Sequence, residues 1–221
     1  MGISDSSDTN RLRISEIFYS LQGEANAVGW PTLFVRLTGC PLRCGYCDTT
    51  HAFSGGQWKT IEQILDEASR VKTRHVCVTG GEPLAQKNVL PLLTTLCDQG
   101  YEVSLETSGS LPVDDIDPRV VVVMDLKTPA SGEMENNCYD NIPLMKATDQ
   151  IKFVICDRGD YEWAKDLVLQ KKLHQRCQVL FSSAFSQVKP SELAEWIIAD
   201  QLPVRFQYQL HKILWGDEPG R

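Results

Sequence analysis

Short apolar runs alternate with amphipathic segments along most of this 221-residue chain. The runs are rich in Val, Ile, Leu and Phe, as is typical of strands buried in a parallel sheet. They predict strands at 32–38, 75–79, 101–107, 120–125, 151–155, 178–181 and 204–208. Because both faces of such strands are usually covered, the pattern predicts helices packed on the sheet.

Helical signals occur between these strands in four places. Thr60 and Gln63 form a capping-box pattern that predicts a helix starting there. A second helix is predicted over 89–99, a third over 161–173, and a fourth beginning at Ser191. Alternation of strand and helix predicts an α/β fold with a mainly parallel sheet.

The middle of the chain interrupts this alternation. Only a Pro- and Asp-rich link at 111–119 leads to the strand at 120–125, and no helical pattern follows before 151–155. We therefore predict reduced helices in the middle. No repeat or linker divides the chain, so we predict one domain over 11–221, preceded by a disordered tail at 1–10.

Charge and composition narrow the class of protein. The net charge of −7 offers no basic field for nucleic acid or a membrane surface. No apolar run approaches the ~18 residues of a transmembrane helix. Eight cysteines without an export signal indicate a reducing compartment. A cytoplasmic enzyme fits these observations best.

Three cysteines in the run CPLRCGYC carry the most chemical information: Cys40, Cys44 and Cys47. They supply one ligand fewer than a closed tetrahedral site needs. His51 offers a fourth ligand for a structural zinc, whereas a thioredoxin-type pair of Cys44 and Cys47 leaves Cys40 unexplained. A three-cysteine site instead leaves an open position, where a metal centre acts on a bound molecule.

Polar and glycine-containing segments follow several predicted strands. They include Gly-Gly-Glu-Pro at 80–83, Thr-Ser-Gly at 107–109, and Asp125 with Lys127. Glu82 can accept hydrogen bonds from an ammonium group, and Asp125 and Lys127 can form an ion pair or contact a ligand. Ligands bind at the carboxyl ends of parallel strands, so we predict the site at this edge.

The cysteine motif followed by Gly-Gly-Glu-Pro resembles the radical S-adenosylmethionine (SAM) superfamily, and Tyr46 before the last cysteine matches its pattern. The resemblance implies a modified partial (β/α)6 barrel. It also implies a [4Fe–4S] cluster held by the three cysteines, with SAM on the fourth iron. One electron from the cluster would cleave SAM to a radical that abstracts hydrogen from a substrate.

The flanking segments resemble the 7-carboxy-7-deazaguanine synthase family. The matching segments are FYSLQGE at 18–24, Arg36, CDT at 47–49, ETSG at 106–109, QIKF at 150–153 and HK at 211–212. That family converts 6-carboxy-5,6,7,8-tetrahydropterin into 7-carboxy-7-deazaguanine with loss of ammonia, on the route to queuosine. SAM acts catalytically there and Mg²⁺ assists.

The same resemblance implies roles for individual residues. Residues expected to contact the substrate are Leu21, Gln22, Gly23, Arg36, Thr107 and Arg221. Residues expected to bind SAM are Tyr46, Cys47, Asp48, Gly81, Glu82, Gly109, Gln150, Ile151 and Lys152. Thr49 is expected to bind Mg²⁺ through its hydroxyl.

Partners follow from the chemistry and from the family. A flavodoxin or ferredoxin is expected to supply the electron, and the family resemblance implies a homodimer. Two alternatives stay open at this point. One is another small radical SAM enzyme, such as a glycyl-radical activase, and the other is a non-enzymatic metal-stabilised module for binding or electron transfer.

Overall fold

A computed structural model describes residues 10–216, 218 and 220, so Arg221 and nearly all of the predicted tail lie outside it. In this part of the chain nine strands form one sheet, in the order β3-β1-β2-β4-β5-β6-β7-β8-β9. The strands are β1 Arg11–Leu21, β2 Pro31–Leu37, β3 Gln57–Thr60, β4 His75–Gly80, β5 Glu102–Thr107, β6 Val121–Asp125, β7 Gln150–Ile155, β8 Gln178–Ser183 and β9 Arg205–Gln207. The helices are α1 Ile61–Ser69, α2 Val89–Asp98, α3 Arg158–Gln170, α4 Pro190–Ala199 and α5 Leu210–Trp215.

The sheet is parallel from β2 to β9, as the sequence predicted. Strands β1 and β3 were not predicted, and both pair antiparallel at one side of the sheet. The β1 sequence RLRISEIFYSL mixes charged and apolar positions, as a strand half-exposed to solvent does. A search for continuous apolar runs therefore misses β1 and identifies β2 as the first strand.

The helices begin where local hydrogen bonds cap them. The capping box of α1 is present: the Gln63 amide donates to the Thr60 hydroxyl at 3.3 Å, and the Thr60 amide donates to Gln63 Oε1 at 2.9 Å. Helix α3 begins earlier than predicted because Asp157 accepts the amide of Asp160 at 2.8 Å. Among the described residues no helix is long and apolar enough to cross a membrane.

Two apolar clusters fill the outer face of the sheet. One packs α1 and α2 against the strands around β4, with Leu93 and Val78 fully buried. The other packs α3 and α4 around Phe153, Tyr161 and Phe181. Burial of these side chains is the main term that holds helices against the sheet.

The inner face of the sheet is different, because one polar residue near the end of each of six parallel strands points to it. We call these residues the polar ring: Arg36, Thr79, Glu106, Asp125, Lys152 and Ser182. Side chains alternate between faces along a strand, so apolar neighbours such as Val78 and Phe153 face outward. The apolar pattern of these strands therefore gives way to polar side chains on the inner face near their carboxyl ends.

Residues 126–149, which we call the middle segment, contain no α-helix. Three 3₁₀ turns take its place, Pro129–Ser131, Met134–Asn136 and Tyr139–Leu144, and the prediction of reduced helices is confirmed. Across the opening of the curved sheet, the Ala25 amide donates to Gln207 Oε1 at 2.6 Å. The result is the partial barrel that the family resemblance implied.

Candidate active site

A cavity of about 420 Å³ lies at the carboxyl ends of the parallel strands, inside the curve of the sheet. The polar ring forms its wall and residues 40–47, the cysteine loop, form part of its rim. The cavity also brings together many of the residues expected at the site. These are Leu21, Gln22, Gly23, Arg36, Cys40, Cys44, Tyr46, Cys47, Asp48, Thr49, Gly81, Thr107 and Lys152.

The cysteine loop is held through its backbone by distant parts of the chain. The amide of Glu82 donates to the carbonyl of Gly39 at 2.8 Å, just before the first cysteine. The amide of Gly45 donates to the carbonyl of Ser131 at 3.0 Å, between the second and third cysteines. All three thiols are half-buried and reach the same cavity. Burial raises the pKa values of Cys40 and Cys44.

His51 does not join the cysteines. Its Nε2 lies 3.3 Å from Glu16 Oε1, which is also bonded to the Arg36 guanidinium. Among the described residues no group of three or more His, Cys, Asp or Glu side chains is placed to hold one metal ion. A zinc site needs its ligands around a single ion, whereas a [4Fe–4S] cluster spreads its cysteine ligands over several irons. The arrangement therefore does not match the Cys₃His zinc alternative.

The Gly-Gly-Glu-Pro loop packs directly under the cysteine loop. A side chain at Gly81 would collide with the backbone carbonyl of Gly39, so only glycine permits this contact. Glu82 is fully buried behind the loop, where its carboxylate accepts the Thr107 hydroxyl at 2.9 Å and the Ser108 amide at 2.7 Å. The sequence suggested an ammonium partner for Glu82. The structure instead gives it protein donors that join two loops of the site.

Tyr46 stands beside an ion pair on the cavity wall. Lys127 Nζ lies 3.1 Å from Asp125 Oδ2 and 5.7 Å from the centre of the Tyr46 ring. Of the two alternatives that the sequence left open for Asp125 and Lys127, the structure shows the ion pair. The Tyr46 hydroxyl and Asp125 Oδ1 are buried and have no hydrogen-bond partner among the described residues. Such atoms are normally bonded, so they mark a place where a bound molecule can complete the site.

A second ion pair crosses the cavity floor. Lys152 Nζ donates to Glu24 Oε2 at 2.8 Å, and the Gln209 side chain donates to Glu24 Oε1 at 2.7 Å. Burial opposes ionisation of Glu24, but the Lys152 ammonium prevails and lowers the Glu24 pKa to about 2. Burial likewise opposes the charge on Lys152, and the Glu24 and Asp125 carboxylates raise its pKa. Both groups stay charged at neutral pH.

An amide and a carboxylate lie next to each other in another part of the cavity wall. Gln22 Nε2 donates to Glu106 Oε1 at 3.3 Å, and the Thr79 hydroxyl donates to Glu106 Oε2 at 2.9 Å. Gln22 is almost fully buried although it precedes a loop. Together they present donors and acceptors suited to the edge of a nitrogen heterocycle.

The remaining rim residues come from the two positions after the cysteine loop and from the last helix. The Thr49 hydroxyl donates to Asp48 Oδ1 at 2.8 Å, which places two oxygen groups at the rim. His211 packs against Gly23 so closely that any side chain at Gly23 would collide with its ring. Burial lowers the pKa of His211, so its imidazole is mainly neutral at pH 7.

Comparison with known proteins decides the family. Residues 34–126 match the radical SAM superfamily. A 7-carboxy-7-deazaguanine synthase of Chlorobaculum tepidum is 46% identical over 210 residues, which cover 94% of this chain and 96% of that protein. One of Koribacter versatilis is 39% identical over 222 residues, covering 94% and 98%. The chain belongs to the 7-carboxy-7-deazaguanine synthase family.

A solved structure agrees with this assignment. The crystal structure of QueE from Escherichia coli superposes with a TM-score of 0.76 at 25% sequence identity, covering 91% of this chain and 95% of that one. Membership of the 7-carboxy-7-deazaguanine synthase family makes the chain a radical SAM enzyme, with the partial barrel that the structure displays. The family implies a [4Fe–4S] cluster and SAM, and three thiols on one cavity beside unpaired buried oxygens fit both groups.

Some residues expected to bind SAM lie apart from the cavity lining. Ile151 points to the outer face of β7 and is fully buried in the core under α3. Gln150 shares the inner face with Lys152, but it sits at the start of the strand, deeper in the barrel. Gly109 lies beyond the lining, with its Cα next to Met124. Strand alternation explains Ile151, because neighbours in a strand face opposite sides.

The structure adds cavity residues to which the sequence analysis gave no role. They include Glu24, Thr79, Glu106, Ser182, Phe185 and Gln209. Glu24 and Glu106 lie inside the family-matching segments LQGE and ETSG. Each is next to a residue to which the resemblance gives a role, and this position was the sequence signal that could have identified them. Arg221, expected to contact substrate, lies outside the described residues.

Proposed function

We propose that the chain acts on 6-carboxy-5,6,7,8-tetrahydropterin and releases 7-carboxy-7-deazaguanine and ammonia, a step towards queuosine and other 7-deazapurines. One observation carries the proposal. The three cysteines share a single cavity of about 420 Å³ with the polar ring. A pocket of this size suits small molecules, and its polar groups converge from six strands. The chain's membership of the 7-carboxy-7-deazaguanine synthase family identifies the substrate.

Cys40, Cys44 and Cys47 would hold the [4Fe–4S] cluster through three irons. When bound, the cluster and SAM supply a carbon radical that removes hydrogen from the substrate. Tyr46 lies within the cysteine loop and the Asp125–Lys127 pair stands beside its ring in the same cavity as the thiols, so we assign these groups to SAM. Gly81 allows the Gly-Gly-Glu-Pro loop to stay in contact with the cysteine loop.

The part of the cavity wall formed by Gln22, Arg36 and Glu106 would hold the pterin. Gln22 and Glu106 offer an amide and a carboxylate to the ring nitrogens. Arg36 shares this wall and has the planar fork that binds a carboxylate. Its Nε is bonded to Glu16 at 2.7 Å, which orients the rest of the guanidinium.

Thr49 would bind Mg²⁺ through its hydroxyl, with the Asp48 carboxylate next to it. Both are hard oxygen donors, and Mg²⁺ completes its shell with water and substrate oxygens. Replacing Thr49 by Ala should reduce the stimulation of turnover by Mg²⁺ while leaving iron content unchanged. A variant that loses iron and keeps its Mg²⁺ response would remove Thr49 from this role.

A flavodoxin or ferredoxin would supply the electron, and we propose a homodimer in the cytoplasm. The cytoplasmic location is supported by eight cysteines that are all free thiols in the described residues. Size-exclusion chromatography with light scattering measures the oligomeric state. A monomer at micromolar concentration would contradict the dimer without affecting the proposed reaction.

The reaction is tested with protein that is purified and reconstituted anaerobically. Reduced protein, SAM, Mg²⁺ and carboxy-tetrahydropterin should yield 7-carboxy-7-deazaguanine by mass spectrometry, with SAM regenerated. Omission of the pterin is the control. Slow cleavage of SAM without product would favour another small radical SAM activity, and a colourless protein that binds zinc would favour the metal-stabilised module.

A further inference from the structure

Glu133 lies between two 3₁₀ turns of the middle segment, directly beside the cysteine loop. Its Oε1 accepts the backbone amide of Arg43 at 2.6 Å, immediately before Cys44. Its Oε2 accepts the side-chain amide of Asn136 at 2.6 Å, and its own amide donates to the Ser131 hydroxyl at 3.0 Å. Glu133 is therefore fixed at three atoms, and one of these contacts holds the cysteine loop between its first two cysteines.

The charge of this carboxylate is not offset by the groups that bond to it. Within the described residues both donors to its oxygens are neutral amides. The Arg43 guanidinium is directed elsewhere, to the carbonyl of Cys40 at 2.7 Å and over the Phe53 ring at 4.4 Å. Glu133 Oε1 lies 2.6 Å from the amide nitrogen of Arg43, the residue that precedes Cys44. A negative charge thus stands within electrostatic reach of a thiol expected to bind iron.

We propose that Glu133 is a positioning residue that holds the cysteine loop and whose charge lowers the reduction potential of the cluster. The inference rests on the proposed function, because it requires a cluster on the three cysteines. The potential of such a cluster depends on the charge and hydrogen bonds around it. A nearby carboxylate disfavours an added electron, so the reduced state becomes a stronger reductant. Cleavage of the carbon–sulfur bond of SAM needs a strong reductant.

The test replaces the charge and keeps the hydrogen bond. Glu133→Gln retains an oxygen acceptor for the Arg43 amide but removes the negative charge. Glu135→Gln, two positions further along and exposed, is the matched control. The midpoint potential of the reconstituted full chain is measured by electron paramagnetic resonance during a redox titration. Glu133→Gln should have a more positive midpoint than wild type, and Glu135→Gln should equal wild type.

Equal midpoints for the two Gln variants would overturn the proposal. Glu133→Asp keeps the charge but shortens the side chain, so it should lower the iron content while the remaining cluster keeps a midpoint near wild type. A midpoint for Glu133→Asp that equals that of Glu133→Gln would also contradict the role of charge. If Glu133→Gln takes up no iron, the midpoint of the cluster that remains in Glu133→Asp is compared with wild type: an equal midpoint supports the role of charge, and a more positive one overturns it. Wild-type protein that takes up no cluster would contradict the proposed function instead.

Discussion

The first half of the sheet and the middle segment hold their active-site loops in different ways. Around β4 and β5 the loops follow strands packed under α1 and α2, and the outer residues of those strands are apolar and buried. In the middle segment, hydrogen bonds from buried polar side chains hold the backbone of the loops. Asn137 bonds to both the amide and the carbonyl of Lys127 at 2.8 Å, and Asn141 accepts the amide of Val113 at 3.2 Å.

This difference has a physical consequence for what a mutation changes. Apolar burial is non-directional and sums over many contacts, so it sets the stability of the whole unit. Hydrogen bonds are directional, so those of the middle segment set where a particular backbone group lies. We therefore expect core substitutions to alter stability first and middle-segment substitutions to alter ligand binding first.

The largest effect is expected at the cysteine loop, which both regions hold. Cys44→Ala should abolish SAM cleavage, because two thiolates hold a cluster poorly. Iron content and 5′-deoxyadenosine formation are measured after anaerobic reconstitution. Cys97→Ala, on α2 and away from the cavity, is the control and should keep both. Normal turnover of Cys44→Ala would contradict the cluster assignment.

The next largest effect is expected in the apolar cluster that packs α1 and α2 against the sheet. Leu93 on α2 is fully buried, and Leu93→Ala should cost about 2–5 kcal/mol of unfolding free energy in a urea titration. The affinity for SAM should change little in protein that stays folded. Leu90→Ala, at a partly buried position of the same helix, should cost less. If fully folded Leu93→Ala protein lost much of its affinity for SAM, the expectation that core substitutions mainly alter stability would be contradicted.

The ion pair between Glu24 and Lys152 lies outside the middle segment and links the loop after β1 to β7, and it should affect the pH dependence of stability. Lowering of the Glu24 pKa from 4.5 to about 2 corresponds to roughly 3 kcal/mol. Because the folded-state pKa is depressed, this stability is fully present above pH 4.5 and is lost as the pH falls towards 2. The difference between wild type and Glu24→Gln should shrink over that range. For Asp66→Asn, in an exposed pair on α1, we expect a difference near zero throughout.

The smallest loss of stability is expected for Asn137→Ala. It leaves the amide and carbonyl of Lys127 without their partner, which costs about 1–3 kcal/mol. SAM affinity should fall by more than it does for Leu93→Ala, because Lys127 lines the cavity. Asp140→Ala, exposed in the next 3₁₀ turn, serves as the control. Unchanged SAM affinity in Asn137→Ala would contradict the expectation that substitutions in the middle segment mainly alter ligand binding.

The same contrast explains how much of the molecule the sequence predicts. Apolar periodicity and the Thr60 capping box are local signals, and the seven parallel strands and α1 appear where those signals lie. The edge of the sheet that carries the site follows from the same pattern. Recognition of the cysteine motif and its flanks then supplies the chemistry.

The rest depends on contacts between distant residues. Glu82 has an acidic side chain next to two glycines, which suggests an exposed acceptor, yet Thr107 and Ser108 satisfy it from another loop. Glu24 reaches Lys152 across 128 positions, and no local pattern indicates that pair. The 3₁₀ turns of the middle segment lack a period that a search for helices or strands detects.

The contact between Arg43 and Glu133 also sets an order of events during biogenesis. These residues are 90 positions apart, so the cysteine loop lacks this anchor until the middle segment has been synthesised and folded. A ribosome-bound chain that ends before the middle segment has all three thiols but not the geometry that arranges them. We therefore expect the chain to take up a cluster after the middle segment has folded, because only then is this anchor of the cysteine loop in place.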